Sequence, residues 1–291
     1  MVSEIVYLNG KFVPYEEALV PVEDRGNLFA DGVYEVIRFY SGQPFLMKAH
    51  MERLERSARE IRLPEIDIDA LTEAGLETVR RNGIGDGTLY IQVTRGPAPR
   101  NHAFPPNPRP TVFMIARSFA RPGEELRGQG VSCITVPDIR WLRCDIKSIG
   151  LLPNVLGKQQ AKEAGAFEAL FVRDGVVTEG TSTNAFAVRE GRIVTYPEDE
   201  HILPGITRRL ILAIARREGI EIVEEALKVG ELDRVDELFI SSTTIEVLPV
   251  VSVDGRPVGG GKPGPIARKL QEQYDRLVEK VASGESIDDF I

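Results

Sequence analysis

The sequence predicts a mixed α+β protein of two domains, and three observations carry that prediction. Strand-like and helix-like segments recur along all 291 residues. They do not alternate strictly, which favours α+β over a doubly wound sheet. Two hairpin signals stand near the start. A polar stretch bearing glycine and proline, SFARPGEELRGQG over 118–130, has the character of a connection. The expected organisation is a smaller N-terminal α+β domain over 1–118, a linker over 119–130 and a larger C-terminal α+β domain over 131–291. The chain is long enough for each part to bury its own core.

In chain order, Val6–Leu8 and Lys11–Val13 flank Asn9-Gly10, a strong signal for a two-residue hairpin turn. A second hairpin is expected from Tyr34–Tyr40 through Ser41-Gly42 to Pro44–Leu46. Met51, Leu54, Ala58 and Ile61 then recur at helical spacing until Pro64. Leu71, Ala74, Leu76 and Val79 mark another helix, with Asn82-Gly83 as its stop. Strands are predicted at Leu89–Thr94 and Thr111–Ala116, joined by a proline-rich loop. Past the linker come strands at Val131–Val136, Ala169–Val172, Asn184–Val188 and Glu237–Ser241. Helices are predicted near Asn154–Glu163, over Thr207–Arg217 and over Pro265–Val281.

Composition narrows the function. The net charge of −8 disfavours a nucleic-acid partner, which would demand a basic surface. No run of about eighteen apolar residues is present to span a membrane. The start, MVSEIVYLNG, lacks the basic and apolar regions of a signal peptide. Cys133 and Cys144 form neither a disulfide framework nor a zinc pattern, and they read as small buried hydrophobes in a reducing cytoplasm. With three histidines in the chain, no histidine-based metal site is expected.

Four groups of residues could carry chemistry. Lys147 sits among Ile139, Trp141, Leu142, Ile146 and Ile149, so its segment is expected to be largely interior. A dehydrated lysine keeps more free amine for attack on a carbonyl, although a snorkelling surface lysine is the common alternative. Glu179 lies in Thr178-Glu179-Gly180-Thr181-Ser182-Thr183, a carboxylate followed by glycine and hydroxyls. That pattern suits a cofactor's ring nitrogen, and equally a capped turn. Anion binding is suggested at three places. Thr207 is placed to cap a helix beginning at Gly205-Ile206-Thr207, Ser241–Thr244 gives four hydroxyls at a strand end, and Arg53 offers a bidentate fork. Lastly, Arg100 and His102 stand two apart on a loop stiffened by Pro97, Pro99, Pro105 and Pro106, a form suited to holding a carboxylate. Each feature also has an ordinary reading as a cap, a polar strand end or a solvated loop.

With these residues in view, the chain resembles the fold-type IV pyridoxal-phosphate enzymes and, within them, the D-amino-acid aminotransferases. The resemblance is carried by Asp24-Arg25-Gly26 with Phe29–Val36, by the Arg100/His102 loop, by Arg140–Ser148, by Thr178-Glu179-Gly180 and by Ser242-Thr243-Thr244. It implies a two-domain α+β fold, a cofactor cleft between the domains and a homodimer. It implies pyridoxal 5'-phosphate bound to Lys147 as a Schiff base, with Glu179 beside the pyridine nitrogen. Phosphate contacts would come from Arg53, Ile206, Thr207, Ser242 and Thr243, with Leu203 and Trp141 packed near the cofactor. Tyr34, Arg100 and His102 would hold the substrate α-carboxylate, the last two reaching in from the other subunit. The implied reaction is transamination between a D-amino acid such as D-alanine and a 2-oxo acid such as 2-oxoglutarate. A branched-chain L-amino-acid aminotransferase and an aminodeoxychorismate lyase share the lysine and glutamate blocks and are the alternatives. A fold-retaining binding protein without catalysis is a third.

Overall fold

A computed structural model describes residues 4–291. Residues 1–3, the first part of the stretch read for a signal peptide, lie outside the described residues. The chain forms two compact units. The first holds the described residues up to Ala120, with Ile146–Gly150 and Val278–Asp289; the second holds Arg121–Asp145, Leu151–Leu277 and the last two residues.

In the first unit, strands β1 (Ile5–Leu8), β2 (Lys11–Pro14), β3 (Gly32–Tyr40), β4 (Gln43–Pro44), β5 (Gly87–Thr94) and β6 (Thr111–Ser118) make one antiparallel sheet. Its order is β2-β1-β6-β5-β3-β4. Asn9 and Gly10 take φ of 47° and 89°, as a two-residue turn with the right twist requires. Along β5, Leu89, Ile91 and Val93 are fully buried on one face. That face packs with Met51, Leu54 and Ala58 of helix α2 (Met47–Glu60) and with Leu71, Ala74 and Val79 of α3 (Ile68–Arg81). Both helices are amphipathic at the spacing the sequence predicted. The short helix α1 (Arg25–Phe29) precedes β3.

The second unit is a sheet of ten strands. It comprises β7 (Val131–Pro137), β8 (Glu168–Arg173), β9 (Val176–Gly180), β10 (Asn184–Arg189), β11 (Arg192–Thr195), β12 (Ile222–Glu224), β13 (Leu227–Lys228), β14 (Glu237–Ser242), β15 (Glu246–Val253) and β16 (Arg256–Pro257). The order is β12-β11-β10-β14-β15-β7-β8-β9-β13, with β16 on β15. Strands β7 and β8 run parallel, and α5 (Leu152–Glu163) lies between them in the chain, as a parallel connection demands. Helices α4 (Glu124–Gln129), α6 (Ile206–Arg217) and α7 (Pro265–Ala282) complete the chain.

Two expectations need correction. The units are not divided by one linker. Residues 146–150 join the first because Tyr34 N–H donates to Lys147 O (3.0 Å), Ile149 N–H donates to Gly32 O (3.1 Å), and Val33 and Ser148 form a β-bridge. Within the expected linker, α4 forms because Glu124 and Glu125 favour the positive end of a helix and Leu126 packs on the core of the second unit. The segment before Lys147 is interior only in its last part, since Ile139, Trp141 and Leu142 are exposed whereas Cys144, Asp145 and Ile146 are buried, Ile146 in the first core.

Candidate active site

Lys147 is placed by backbone pairing rather than by its own side chain. Its carbonyl accepts from Tyr34, and its N–H donates to Ser57 Oγ at 3.2 Å, a buried hydroxyl on α2. The Lys147 Nζ then lies 4.3 Å from the centre of the Tyr34 ring, over its negative face. Tyr34 stacks on Tyr90, which stacks on Phe113, so an aromatic row runs across β3, β5 and β6.

On the other face of β3, Glu35 points toward α2 and is fully buried. Arg53 grips it with Nε (2.7 Å) and Nη2 (2.9 Å), and His50 Nδ1 lies 2.8 Å from its second oxygen. Burial alone would raise the Glu35 carboxyl, but Arg53 and His50 overcome that and hold it well below the usual range. Burial keeps the His50 imidazole below its ordinary value. Arg53, expected as a free phosphate fork, therefore already spends two donors on Glu35. A buried carboxylate without such a partner would be strongly destabilising.

In the second unit, Glu179 ends β9 as a buried carboxylate rather than opening a capped turn. Arg140 donates to its Oε1, Asn184 Nδ2 to its Oε2 at 3.0 Å, and the Leu203 N–H to both oxygens at 3.2 and 3.1 Å. Asp138 in turn holds Arg140, with Nη2 to Oδ2 at 2.9 Å. Burial pushes the Glu179 carboxyl up to about 7, although Arg140 and the Leu203 amide pull the other way. Sequence reasoning missed Arg140 and Asn184. Arg140 opens one of the family blocks, but nothing local ties it to a glutamate 39 positions away.

Asn184 connects this carboxylate to the start of α6. Its Nδ2 also donates to Leu203 O at 3.0 Å, and it pairs in register with Ser241. Thr207 does not cap α6; the cap position is Gly205, which has no side chain to offer. A Cβ there would lie 2.0 Å from Asn184 Oδ1, so glycine is required. The result is a helix start whose first N–H groups are left for another acceptor. Ile206 and Thr207 are buried in that first turn. The Ser241 hydroxyl is buried with no hydrogen-bond partner, and beside it Ser242 Oγ lies 3.3 Å from Thr244 Oγ1, with Thr243 between them in the chain. Of the residues expected near a cofactor in this unit, Glu179 and Leu203 are thus joined through Asn184, which also lies against Gly205, next in the chain to Ile206 and Thr207. Trp141 is half exposed.

The Arg100/His102 loop belongs to the first unit. Both side chains are exposed, and both lie against Phe29, with Arg100 Cζ and the His102 ring each 5.3 Å from its centre.

The first unit thus holds an Nζ over an aromatic ring, and the second holds a buried carboxylate with a rigid donor set and a helix start without a side-chain cap. The chain belongs to the amino-transferase class IV family, whose model matches residues 32–253. Similar proteins include the D-alanine aminotransferase of Staphylococcus haemolyticus, 46% identical over 96% of this chain and 99% of that protein. The D-alanine aminotransferase of Bacillus licheniformis is 46% identical over 91% and 94%. Among solved structures, a branched-chain amino acid aminotransferase of Escherichia coli superposes with a TM-score of 0.89 at 30% identity, covering 95% of both chains. A branched-chain aminotransferase from the archaeon Thermoproteus uzoniensis, solved with norvaline, gives 0.85 at 33%, covering 97% and 96%. A further branched-chain enzyme, solved with pyridoxamine 5'-phosphate, gives 0.88 at 32%, covering 99% and 97%.

Proposed function

We propose that the protein transfers the amino group between a D-amino acid, such as D-alanine, and a 2-oxo acid, such as 2-oxoglutarate, with pyridoxal 5'-phosphate as cofactor. The donor set fits that group. Glu179 suits a protonated ring nitrogen, and the open start of α6 with the orphaned Ser241 hydroxyl suits a phosphate. When bound, the cofactor supplies an electron-accepting ring that stabilises charge developing at the substrate Cα.

The chain's own residues divide the remaining work. Lys147 is the covalent attachment point and the group that removes the Cα proton. Glu179 keeps the ring nitrogen protonated. Arg140, Asn184 and the Leu203 amide fix the direction of its carboxylate. Ile206, Thr207, Ser242 and Thr243 would hold the phosphate, as would Arg53, a cation already aligned by Glu35. Tyr34, Arg100 and His102 take the substrate α-carboxylate, with Leu203 beside the cofactor.

We also read the protein as a homodimer in which Arg100 and His102 serve the partner's site. Support comes from Leu152, Val155 and Leu156, exposed on one face of α5, and from the exposed Ile139, Trp141 and Leu142. The buried free cysteines fit a cytoplasmic setting, and no helix among the described residues is long and apolar enough to cross a membrane.

The observation that carries the D-specific reading over the branched-chain alternative is the Arg100/His102 pair mounted on Phe29, together with relatives that act on D-alanine by name. The test is a panel of D- and L-amino acids with 2-oxoglutarate, scoring the handedness of each product. D-Alanine should be a good donor and yield D-glutamate. Efficient transamination of L-leucine with poor use of D-alanine would move the protein to the branched-chain reading.

A further inference from the structure

We infer that Arg25 is a positioning residue for substrate binding, acting by fixing the backbone of the loop that presents Arg100 and His102. The inference rests on the proposed carboxylate role of that pair.

The loop holds itself weakly, by one turn in which the Ala103 N–H donates to Asn101 Oδ1 at 3.1 Å. From 99 to 110, no backbone-to-backbone hydrogen bond is found among the described residues, and its prolines remove donors. Arg25 supplies what is missing. Its side chain is 4% exposed, and its guanidinium donates to three consecutive carbonyls. Nη1 reaches Asn101 O (2.5 Å) and Ala103 O (3.4 Å), and Nη2 reaches His102 O (3.3 Å). The planar fork has five donors on three nitrogens, enough for three carbonyls and the Asp31 carboxylate together, whereas a lysine ammonium has three donors on one nitrogen and cannot span the same acceptors.

The fork is itself anchored. Arg25 Nε donates to Asp31 Oδ2 at 2.7 Å, and Arg95 takes both Asp31 oxygens at 2.8 and 2.9 Å. Arg95 also donates to Ile61 O and Arg62 O, tying the cluster to the end of α2, and lies 3.6 Å from the centre of the Phe104 ring.

The neighbours of Arg25 brace the feet of the same loop. Asp24 accepts from Thr111 Oγ1 at 2.6 Å and bridges to Pro97. A Cβ at Gly26 would lie 2.5 Å from Thr94 Cγ2. One turn on from Arg25, Phe29 underlies both functional side chains, and Arg25 Cζ itself lies 4.8 Å from that ring. A helix of five residues thus sets the loop's feet, its backbone and the side chains of the pair.

The test uses holoenzyme with D-alanine and 2-oxoglutarate, comparing Arg25→Met, Arg25→Lys, Arg100→Leu and the double variant Arg25→Met/Arg100→Leu. Arg95 keeps Asp31 paired in every case. Arg25→Met should lower kcat/KM roughly ten-fold, mainly through KM. In the Arg100→Leu background the same change should cost less than about two-fold, because the two residues act as one unit. Amide exchange across 98–104 should quicken in Arg25→Met. Arg25→Lys should show the same KM effect and the same coupling, and it carries the test should Arg25→Met fail to fold. If Arg100→Leu is impaired while the Arg25 variants keep wild-type KM, or if their loss is undiminished beside Arg100→Leu, the inference is overturned and the carboxylate reading stands. Wild-type kcat/KM in Arg100→Leu would overturn that reading and the inference together.

Discussion

Glu179 is a carboxyl whose proton is decided by competition between burial and its neighbours. Burial wins, placing it at about 7, whereas an unfolded glutamate titrates near 4.3. The folded, cofactor-free chain therefore holds an extra proton between those values. Stability falls as pH rises through that window and is level above it. Glu179→Gln removes the penalty. In urea unfolding of cofactor-free protein, the variant should gain on wild type between about pH 4.5 and 7.5 by an amount on the order of a few kcal/mol. A constant difference across that range would show that Glu179 is ionised throughout. With cofactor, the same variant should still bind but turn over more slowly. At the substrate end, Arg100→Leu removes a charge-assisted hydrogen bond, at a cost of roughly 1.5–3 kcal/mol in kcat/KM for D-alanine. The visible spectrum of the bound cofactor should not move, and a changed spectrum would place Arg100 beside the ring instead.

Asn184 links the start of α6 to the Glu179 carboxylate, because it touches Glu179, Leu203 and the space a Cβ would fill at Gly205; these are the proposed phosphate and ring-nitrogen ends of the site. Gly205→Ala should therefore weaken pyridoxal 5'-phosphate binding about ten-fold or more, since it both crowds the helix start and displaces Asn184. Spectroscopic titration of cofactor-free protein checks this; unaltered affinity would separate the two functions. Elements with strong local signals were legible from sequence. The Asn9-Gly10 hairpin, α2, α3, α6 and α7 all stand where turn chemistry or helical spacing put them. Strand β15 was hidden by Pro249, which the sheet tolerates because pairing with β7 begins only at Val250. Strand β9 was read as a motif rather than a strand, since its VVTEG has too few residues to show alternation. Of the proposed site, Lys147, Glu179 and the Arg100/His102 loop stand out in the sequence as blocks. Their supports do not. Arg140 holds Glu179 from 39 positions away and Arg25 holds the loop from 76, and hydrogen bonds at that range leave no periodic trace.

For the whole molecule, the homodimer reading makes a sharp demand, because Lys147 and Arg100 of one chain would serve different sites. Lys147→Ala protein should be nearly inactive toward D-alanine, and Arg100→Leu protein about ten- to a hundred-fold impaired in kcat/KM. Unfolded together and refolded as a mixture, they should regain activity, since each hybrid dimer carries one site with both residues intact. A mixture no more active than its parts would place the two residues in the same site. The pairing of residues 147–149 with the start of β3 also bears on how the protein is made. Gly32–Tyr34 leaves the ribosome more than a hundred residues ahead of the segment that satisfies its outer edge. At about 5–20 residues per second the nascent sheet waits on the order of ten seconds with that edge bare. An unpaired edge is an invitation to aggregate, so a chain cut short before Ile146 is a sticky fragment, and one that lacks Lys147, the proposed attachment point of the cofactor.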